Sequence, residues 1–516
     1  MEQEERREYG KEYGKEYRKE YGKEYKKEYK KEIDRVAAQG PYRADWDSLS
    51  AYEVPDWFKK AKFGIFVHWG LYSIPAFHDE WYSRKMYIKG SPEYEHHMKT
   101  YGAHRDFGYQ DFIPLFRAEK FDAREWAAVF KQAGAKYVVP VAEHHDGFQM
   151  YASRLSRFNA AQMGPGKDII GSLKEALEEE GLVFGTSSHR AEHQWFMGVG
   201  KEFDSDIKEP LSCGDFYWPS DREQPDQTDI CSAPYPSAEF LEDWLLRTCE
   251  LVDRYHPRLL YFDWWVQHDA YREVLPKAVA YYYNRGAEYG FPTGVCYKQD
   301  ACAFGCGIVD VERGKFSQAK PYYWQTDTAI ARNSWCYTTD LDYKDSYELI
   351  CYLCDVVSKN GNLLLNVGPM ADGSIPEKDR EILADIGKWL EVNGEAVYGS
   401  RCFRFAQEGP TGEPEGQFSD RCGTEYTSED FRFTAAHGNI YVICLKPPAD
   451  GRITVRSLYK EKDLNKAVFH GLIKRVSVLG KDADGGVEWR QDGEGLHVEM
   501  GEVDARMPVV VRVEVK

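Results

Sequence analysis

The sequence predicts an α/β protein built as a (β/α)8, TIM-like barrel followed by a C-terminal all-β sandwich. Between about residues 55 and 400, short apolar strands alternate with amphipathic helical stretches. Most of eight such strands close on a polar residue where the apolar run stops, which is how a barrel supplies working groups to one rim. After residue 400 the helical period fades and strand–turn signals take over. A doubly wound open sheet would carry a glycine-rich phosphate turn after its first strand, and this chain has none there.

The expected organisation is a low-complexity tail over 1–32, a barrel over 50–400 and a sandwich over 401–516. The tail repeats Glu-Tyr-x-Lys and carries eleven Lys/Arg against ten Glu, a near-neutral polyampholyte. At helical spacing Tyr9, Tyr13, Tyr17, Tyr21, Tyr25 and Tyr29 drift around one face, so the tail reads as a solvated, frayed helix outside the fold. The strands are KFGIFVHWG, YVVPVAEH, VFGTSSH, LLYFDWW, TGVCYK, GIVDVER, YYWQTDTAI and LLLNVGP. Their polar closing residues are His68, His144, His189, Asp263, Lys298, Glu312, Asp327 and Asn366. Stretches such as REWAAVFKQAG and AEFLEDWLLRTCELVDRYHP supply the helices between them. In the last part, FRFTAAHGNIYVICL, GRITVRSL and MPVVVRVEVK read as strands separated by turns such as DADGG, with no evident chemistry of their own.

Composition narrows the function. With 85 acids against 67 bases and a net charge of −18, the chain lacks the basic footprint of a nucleic-acid partner. No run approaches the ~18 apolar residues of a membrane span, and the N-terminus is charged from Glu2 onward rather than bearing a secretory h-region. The expectation is a cytoplasmic protein with reduced thiols and no membrane partner. Cys351 and Cys354 fall in an apolar helix, and Cys302 and Cys306 have no second ligand pair nearby, so no zinc site is expected. Aromatics at 15% suit either a large core or a site that stacks on sugar rings.

Two carboxylates stand out. Asp263 ends the buried strand LLYFDWW, where alternation puts Tyr261, Asp263 and Trp265 on one face and Phe262 and Trp264 on the other. Such an acid suits a nucleophile in a partly dry, aromatic-walled cleft. Acetal chemistry needs a second carboxyl to protonate the leaving oxygen. In GIVDVERG, Asp310 and Glu312 share a face and Glu312 lies nearer the rim, so Glu312 is the candidate acid/base, with Asp327 and Glu80 competing and a salt bridge to Arg313 or Arg332 as the structural alternative. His144-His145-Asp146 resembles a metal cluster, but neighbouring strand residues face opposite sides unless the backbone turns between them, so no metal is expected there. His68, His189 and His193 add donors suited to hydroxyl recognition.

The blocks WFKKAKFGIFVHWGLYSIPAFHDEWY, AKYVVPVAEHHDGFQMY, LLYFDWW and GNLLLNVGPMADGSIP, in that order, resemble those of glycoside hydrolase family 29, the α-L-fucosidases. The resemblance spans about residues 56–400, and the β module resembles the family's C-terminal sandwich. It implies retaining hydrolysis of terminal α-L-fucose from fucosylated oligosaccharides or glycoconjugates, without metal or organic cofactor. By the same resemblance Asp263 is the nucleophile; His68, Glu80, Trp81, His144 and His145 bind the sugar, and Trp335 lies beside it. A related exo-glycosidase for a sugar such as α-L-galactose, or an inactive sugar-binding barrel, are the alternatives. The chain departs from the family at GTSSHRAEHQW, which puts Ser187, Ser188 and His189 where a Tyr-Tyr-Ser segment is usual. The acid/base position varies across the family, so Glu312 rests on spacing and strand face.

Overall fold

In the computed structural model, which describes residues 23–420, 423–481 and 487–516, eight parallel strands close into a barrel in sequence order. They are β1 (Phe63–Val67), β2 (Tyr137–Glu143), β3 (Val183–Ser188), β4 (Leu259–Phe262), β5 (Gly294–Tyr297), β6 (Ile308–Glu312), β7 (Trp324–Ala329) and β8 (Gly361–Val367). These are the eight strands read from the sequence, and β1 seals the barrel by pairing with both β2 and β8. Both faces of such strands are covered, which is why most read as continuous apolar runs.

The interior is packed rather than hollow. Phe66, Tyr137, Val139, Leu259, Tyr261, Ile308 and Leu364 form one buried cluster there. Gly64 makes room for it: a Cβ at that position would lie 2.5 Å from the Tyr137 ring. Polar strand residues are buried with partners, as where Gln325 accepts from the Tyr137 hydroxyl at 2.8 Å and donates to Asp310 at 2.8 Å.

Helices α2 (Ala123–Gln132), α3 (Ile169–Glu179), α4 (Ala238–Tyr255), α5 (Val274–Tyr289) and α6 (Ser346–Ser358) make the crossovers, and α7 (Glu377–Asn393) follows β8. Their starts are capped by Asp122, Asp168, Ser237 and Asp345, each accepting a backbone N–H of the first turn. The links β5–β6 and β6–β7 contain no helix among these elements, so the outer ring is open on that side.

One expectation needs correction. The tail boundary at residue 32 falls inside helix α1 (Lys23–Gln39), and that helix is docked rather than solvated. Tyr29 donates to Asp253 on α4 at 2.9 Å, Lys26 lies 3.3 Å from Asp243, and Glu32 pairs with Arg285 of α5 at 3.0 Å. Ile33, Val36 and Ala37 are buried in the main core, so the Glu-Tyr-x-Lys charges serve as anchors where the apolar stripe begins. The repeat residues 1–22 lie outside the described residues.

The C-terminal part is the expected sandwich. It forms two antiparallel sheets, with strand orders β13-β16-β11-β10-β9 and β12-β15-β14, over β9 (Arg401–Glu408), β10 (Phe431–Ala436), β11 (Asn439–Cys444), β12 (Arg452–Val455), β13 (Ile473–Val478), β14 (Glu488–Gln491), β15 (Leu496–Glu499) and β16 (Val509–Val515). Phe433, Val442 and Val513 meet Ile453, Leu496 and Val498 between the sheets, which makes a sandwich core. After β9 the chain runs along the open side beside β6: Gly416, Phe418 and Asp420 donate backbone N–H groups to the carbonyls of Lys315, Glu312 and Arg313 at 2.9, 2.9 and 3.0 Å. Behind it, buried Arg432 on β10 reaches Asp355 of α6 at 2.5 Å and also Glu413. None of the described helices is long and apolar enough to cross a membrane, and the cysteines among the described residues are free thiols.

Candidate active site

The C-terminal ends of the strands surround a cleft of about 990 Å³ lined by His68, Glu80, Trp81, His144, His145, His189, Asp263, Glu312, Asp327 and Trp335, among others. All eight residues named as candidate site groups therefore converge. Another cavity, of 1150 Å³, lies between residues 56–60 and the sandwich, but its only carboxylate among the described residues is Asp56. It offers no acid pair, so the rim cleft is the candidate site.

Alternation fails where the strands end. β2 stops at Glu143 and the chain turns, bringing both the His144 and His145 rings to the cleft with centroids 4.3 Å apart. Asp146 points elsewhere, accepting from the Tyr109 hydroxyl at 2.8 Å. β4 likewise stops at Phe262, and Trp265 adopts φ +77°. Trp264 and Trp265 therefore both line the cleft, although strict period two puts them on opposite faces.

Asp263 is 8% exposed. Its Oδ2 lies 2.7 Å from His189 Nδ1, and His189 Nε2 lies 2.9 Å from Ser187 Oγ. A serine hydroxyl donating to Nε2 leaves the proton on Nδ1, which can then donate to the carboxylate. His145 Nε2 is 3.5 Å from the same oxygen. Burial pushes the Asp263 carboxyl up, but His189, Lys298 and His145 outweigh it and hold the group well below the usual carboxylate range. Asp263 is thus an anion in a nearly dry place, with one oxygen fixed.

Glu312 is in the opposite condition. Its Oε2 accepts the Trp264 indole N–H and lies 3.1 Å from Lys298 Nζ. Burial raises its pKa, Lys298 opposes the rise, and the negative charges of Asp263 and Asp327 add to it. The expected ion-pair alternatives are not its partners: Arg332 pairs with Glu348, and Arg313 donates to the carbonyls of Ala331 and Ser334 at 3.2 and 3.1 Å. Lys298 instead serves three acids, reaching Asp310 at 3.1 Å and Asp327 at 3.3 Å as well. Asp327 also accepts from the Tyr261 hydroxyl at 2.8 Å, so it is tied to the base of the site. Glu312 has the rim position.

The remaining groups suit hydroxyl binding. His68 is set by Asn366, Nδ1 to Oδ1 at 2.7 Å, and Asn366 donates to the Trp335 carbonyl at 2.6 Å. Burial holds His68 and His144 well below the usual imidazole range, and His145 down to about 4, so all three are neutral at physiological pH. His144 Nδ1 is buried without a hydrogen-bond partner. Glu80 accepts from the Trp335 backbone N–H at 3.0 Å, and burial pushes it up to about 7. Trp81 lies edge-on to His145 at 5.8 Å, while the Arg313 guanidinium covers the Trp335 ring at 4.4 Å. His193 is structural, its two nitrogens meeting the carbonyls of His145 and Trp218.

Ligating atoms of His68, His144 and His189 lie within 4.8 Å of one another, as do those of His145, His189 and Asp263. Imidazoles in that arrangement suit zinc or copper, but both nitrogens of His189 are engaged by Ser187 and Asp263. Sequence reasoning left out Glu192, Lys298, Trp264 and Phe418 as site residues. Lys298 already stood at a strand end, and Glu192 lies in the departing HRAEH segment. Glu192 is buried in the cleft wall, 3.4 Å from His145 Nε2, with its carboxyl pushed well above the usual range by burial. Phe418 had no local signal.

Comparison with known proteins bears on the same region. The family model described as Alpha-L-fucosidase matches residues 29–395. The tissue alpha-L-fucosidase of Rattus norvegicus is 30% identical over 459 residues, 87% of this chain and 86% of that protein. That of Homo sapiens is 31% identical over 379 residues, 72% and 75% respectively. Among solved structures, Thermotoga maritima alpha-fucosidase in complex with fucose matches with a TM-score of 0.70 at 30% identity, covering 92% of this chain and all of that one.

Proposed function

This chain belongs to the α-L-fucosidase family of glycoside hydrolases, and we propose that it removes terminal α-L-fucose from glycans or glycoconjugates with retention of configuration. The observation that carries the mechanism is the opposite state of two carboxyls in one cleft: Asp263 is held ionised and Glu312 holds its proton more tightly than usual. A double displacement needs that pairing. Asp263 attacks the anomeric carbon, forming a glycosyl ester while Glu312 gives its proton to the departing oxygen. Glu312, now an anion, takes a proton from water, which attacks the same carbon and releases Asp263. His189 orients the attacking carboxylate, and the neutral imidazoles of His68, His144 and His145, with Glu80, meet the sugar hydroxyls. Trp81 and Trp335 offer flat faces to the ring.

The test is hydrolysis of 4-nitrophenyl α-L-fucoside by the wild type and by Asp263→Gly. The wild type should release nitrophenol and the variant almost none. Azide should restore part of the rate and yield a fucosyl azide of inverted configuration. An Asp263 variant retaining the wild-type rate makes Asp263 structural and removes the mechanism.

A further inference from the structure

We infer that Trp264 and Phe418 form a subsite for the leaving-group sugar, taking the apolar face of a neutral pyranose ring joined to fucose. The inference rests on Glu312 being the acid/base. A proton donor must lie within hydrogen-bond reach of the glycosidic oxygen, about 2.6–3.2 Å, so the first ring of the leaving group begins beside the Glu312 carboxyl. Inward, that carboxyl is closed off by Lys298, Asp310 and Asp327, each no more than 2% exposed. Outward, it meets Trp264, whose indole N–H it accepts, and the Glu312 carbonyl is held by the Phe418 backbone. The leaving group therefore passes these two residues.

Their form suits a sugar. The rings are near-parallel at 12° with centroids 6.2 Å apart, and both line the cleft. Phe418 is 39% exposed and has φ +54°, a conformation bulky side chains rarely adopt. Hydrogen bonds on both sides of it, from Gly416 and Asp420 to the carbonyls of Lys315 and Arg313 just after β6, hold it there. An exposed aromatic held strained at a cleft mouth is expected where the strain serves binding. Polar partners stand close by: Gln267 lines the same cleft, its Oε1 buried without a hydrogen-bond partner, and its amide lies 3.5 Å from Gln299 Oε1. The cleft's 990 Å³ is at the upper end of ligand pockets, roughly 300–1,000 Å³, which leaves room beyond a single fucose. The sandwich thus completes the site from 155 residues beyond the nucleophile, as the numbering of Asp263 and Phe418 gives.

The experiment compares α-L-fucosyl fluoride, which has no leaving-group sugar, with the α1,2-, α1,3- or α1,6-linked fucosyl disaccharide that the wild type cleaves fastest. Phe418→Ala should lower the ratio of kcat/KM for disaccharide over fluoride by roughly 3- to 10-fold, the size of one aromatic contact, mostly through KM. Phe418→Trp should keep the ratio near the wild-type value. An unchanged ratio in Phe418→Ala, or an equal loss in Phe418→Trp, overturns the subsite. Failure of the parent reading looks different: wild-type protein inactive on both fluoride and disaccharides refutes the fucosidase mechanism itself.

Discussion

Replacing Glu312 by alanine separates a general acid from a structural carboxyl, because its effect depends on the leaving group. The structure sets the scale. Lys298 Nζ lies 3.1 Å from Glu312, and at an effective dielectric of about 20 one such contact favours the anion by about 5 kcal/mol. That pull is divided among Glu312, Asp310 and Asp327, and it acts against burial and the charge of Asp263. The net direction is upward, so the resting enzyme keeps a proton on Glu312 above the ordinary carboxyl range. Once Asp263 is esterified its charge is gone, one cause of the rise disappears, and Glu312 becomes the base that the second step needs. Removing the carboxyl should therefore cost about 10²- to 10⁴-fold with fucosyl disaccharides, the usual worth of general acid catalysis. With 4-nitrophenyl fucoside, whose leaving group needs little protonation, kcat/KM should fall far less. Slow deglycosylation should let the intermediate accumulate, seen as a burst of nitrophenol, and azide should relieve it with retained configuration. The basic limb of the pH profile of kcat/KM should vanish in the variant. Equal losses on both substrates, with no burst and no azide effect, would refute the assignment and turn attention to Asp327 or Glu80.

Three further outcomes follow from the geometry. His189→Leu removes the donor at 2.7 Å from Asp263; kcat/KM should fall by about 10- to 100-fold, the worth of a hydrogen bond to a charged group, and the acid side of the profile should gain a second protonation in the ordinary carboxylate range. His189→Asn, whose amide can replace Nδ1–H, should restore most of both; an Asn variant as impaired as Leu makes His189 structural. Glu80, pushed up to about 7 by burial, should take up a proton as pH falls below neutrality, raising KM, and Glu80→Gln should remove that dependence. Its folded pKa is raised, so its contribution to stability is present at acid pH and lost as pH rises through about 7; melting of Glu80→Gln should be less pH-dependent there, and an unchanged melting profile refutes the shift. Deleting residues 1–32 removes the Tyr29–Asp253 and Lys26–Asp243 contacts, so the melting temperature should drop while aryl-fucoside turnover stays within about tenfold.

The barrel was legible because its signals are local. Each strand is an apolar run with a polar end, so Asp263, Glu312, His68 and His144 could be placed on the rim as the residues that close their strands, and the faces of Asp263 and Glu312 followed from period two. That rule lasts only while the backbone stays extended. One residue past β4 and β2 the chain turns, which is why Trp264 faces the cleft although alternation points it away, and why His145 joins His144 there, as the family resemblance implies and period two does not. What depends on distant pieces of chain left no local mark. Nothing near Phe418 says that it lies beside Glu312, and the tyrosine spacing over 1–32 does not reveal that Tyr29 meets Asp253 across 224 residues. Lys298 was read as a strand end, but only the closed barrel shows three carboxylates around it.

The division of labour between Asp263 and Glu312 is set by neighbours rather than by residue type. Both are buried acids that burial alone would leave protonated. Asp263 escapes because the Ser187–His189 pair directs an N–H donor at its oxygen. Glu312 does not escape, because Lys298, the one ammonium it meets among the described residues, is also claimed by Asp310 and Asp327. Those two acids, which touch no part of the proposed reaction, thus keep Lys298 from turning Glu312 into a permanent anion. Replacing Asp310 by asparagine should concentrate Lys298 on the remaining carboxyls and lower the Glu312 pKa. The basic limb of kcat/KM for a disaccharide would then move toward acid, while that for fucosyl fluoride, which needs no proton donor, would hold its position. A basic limb that stays fixed with both substrates would show that the three-acid cluster around Lys298 has no part in tuning the acid.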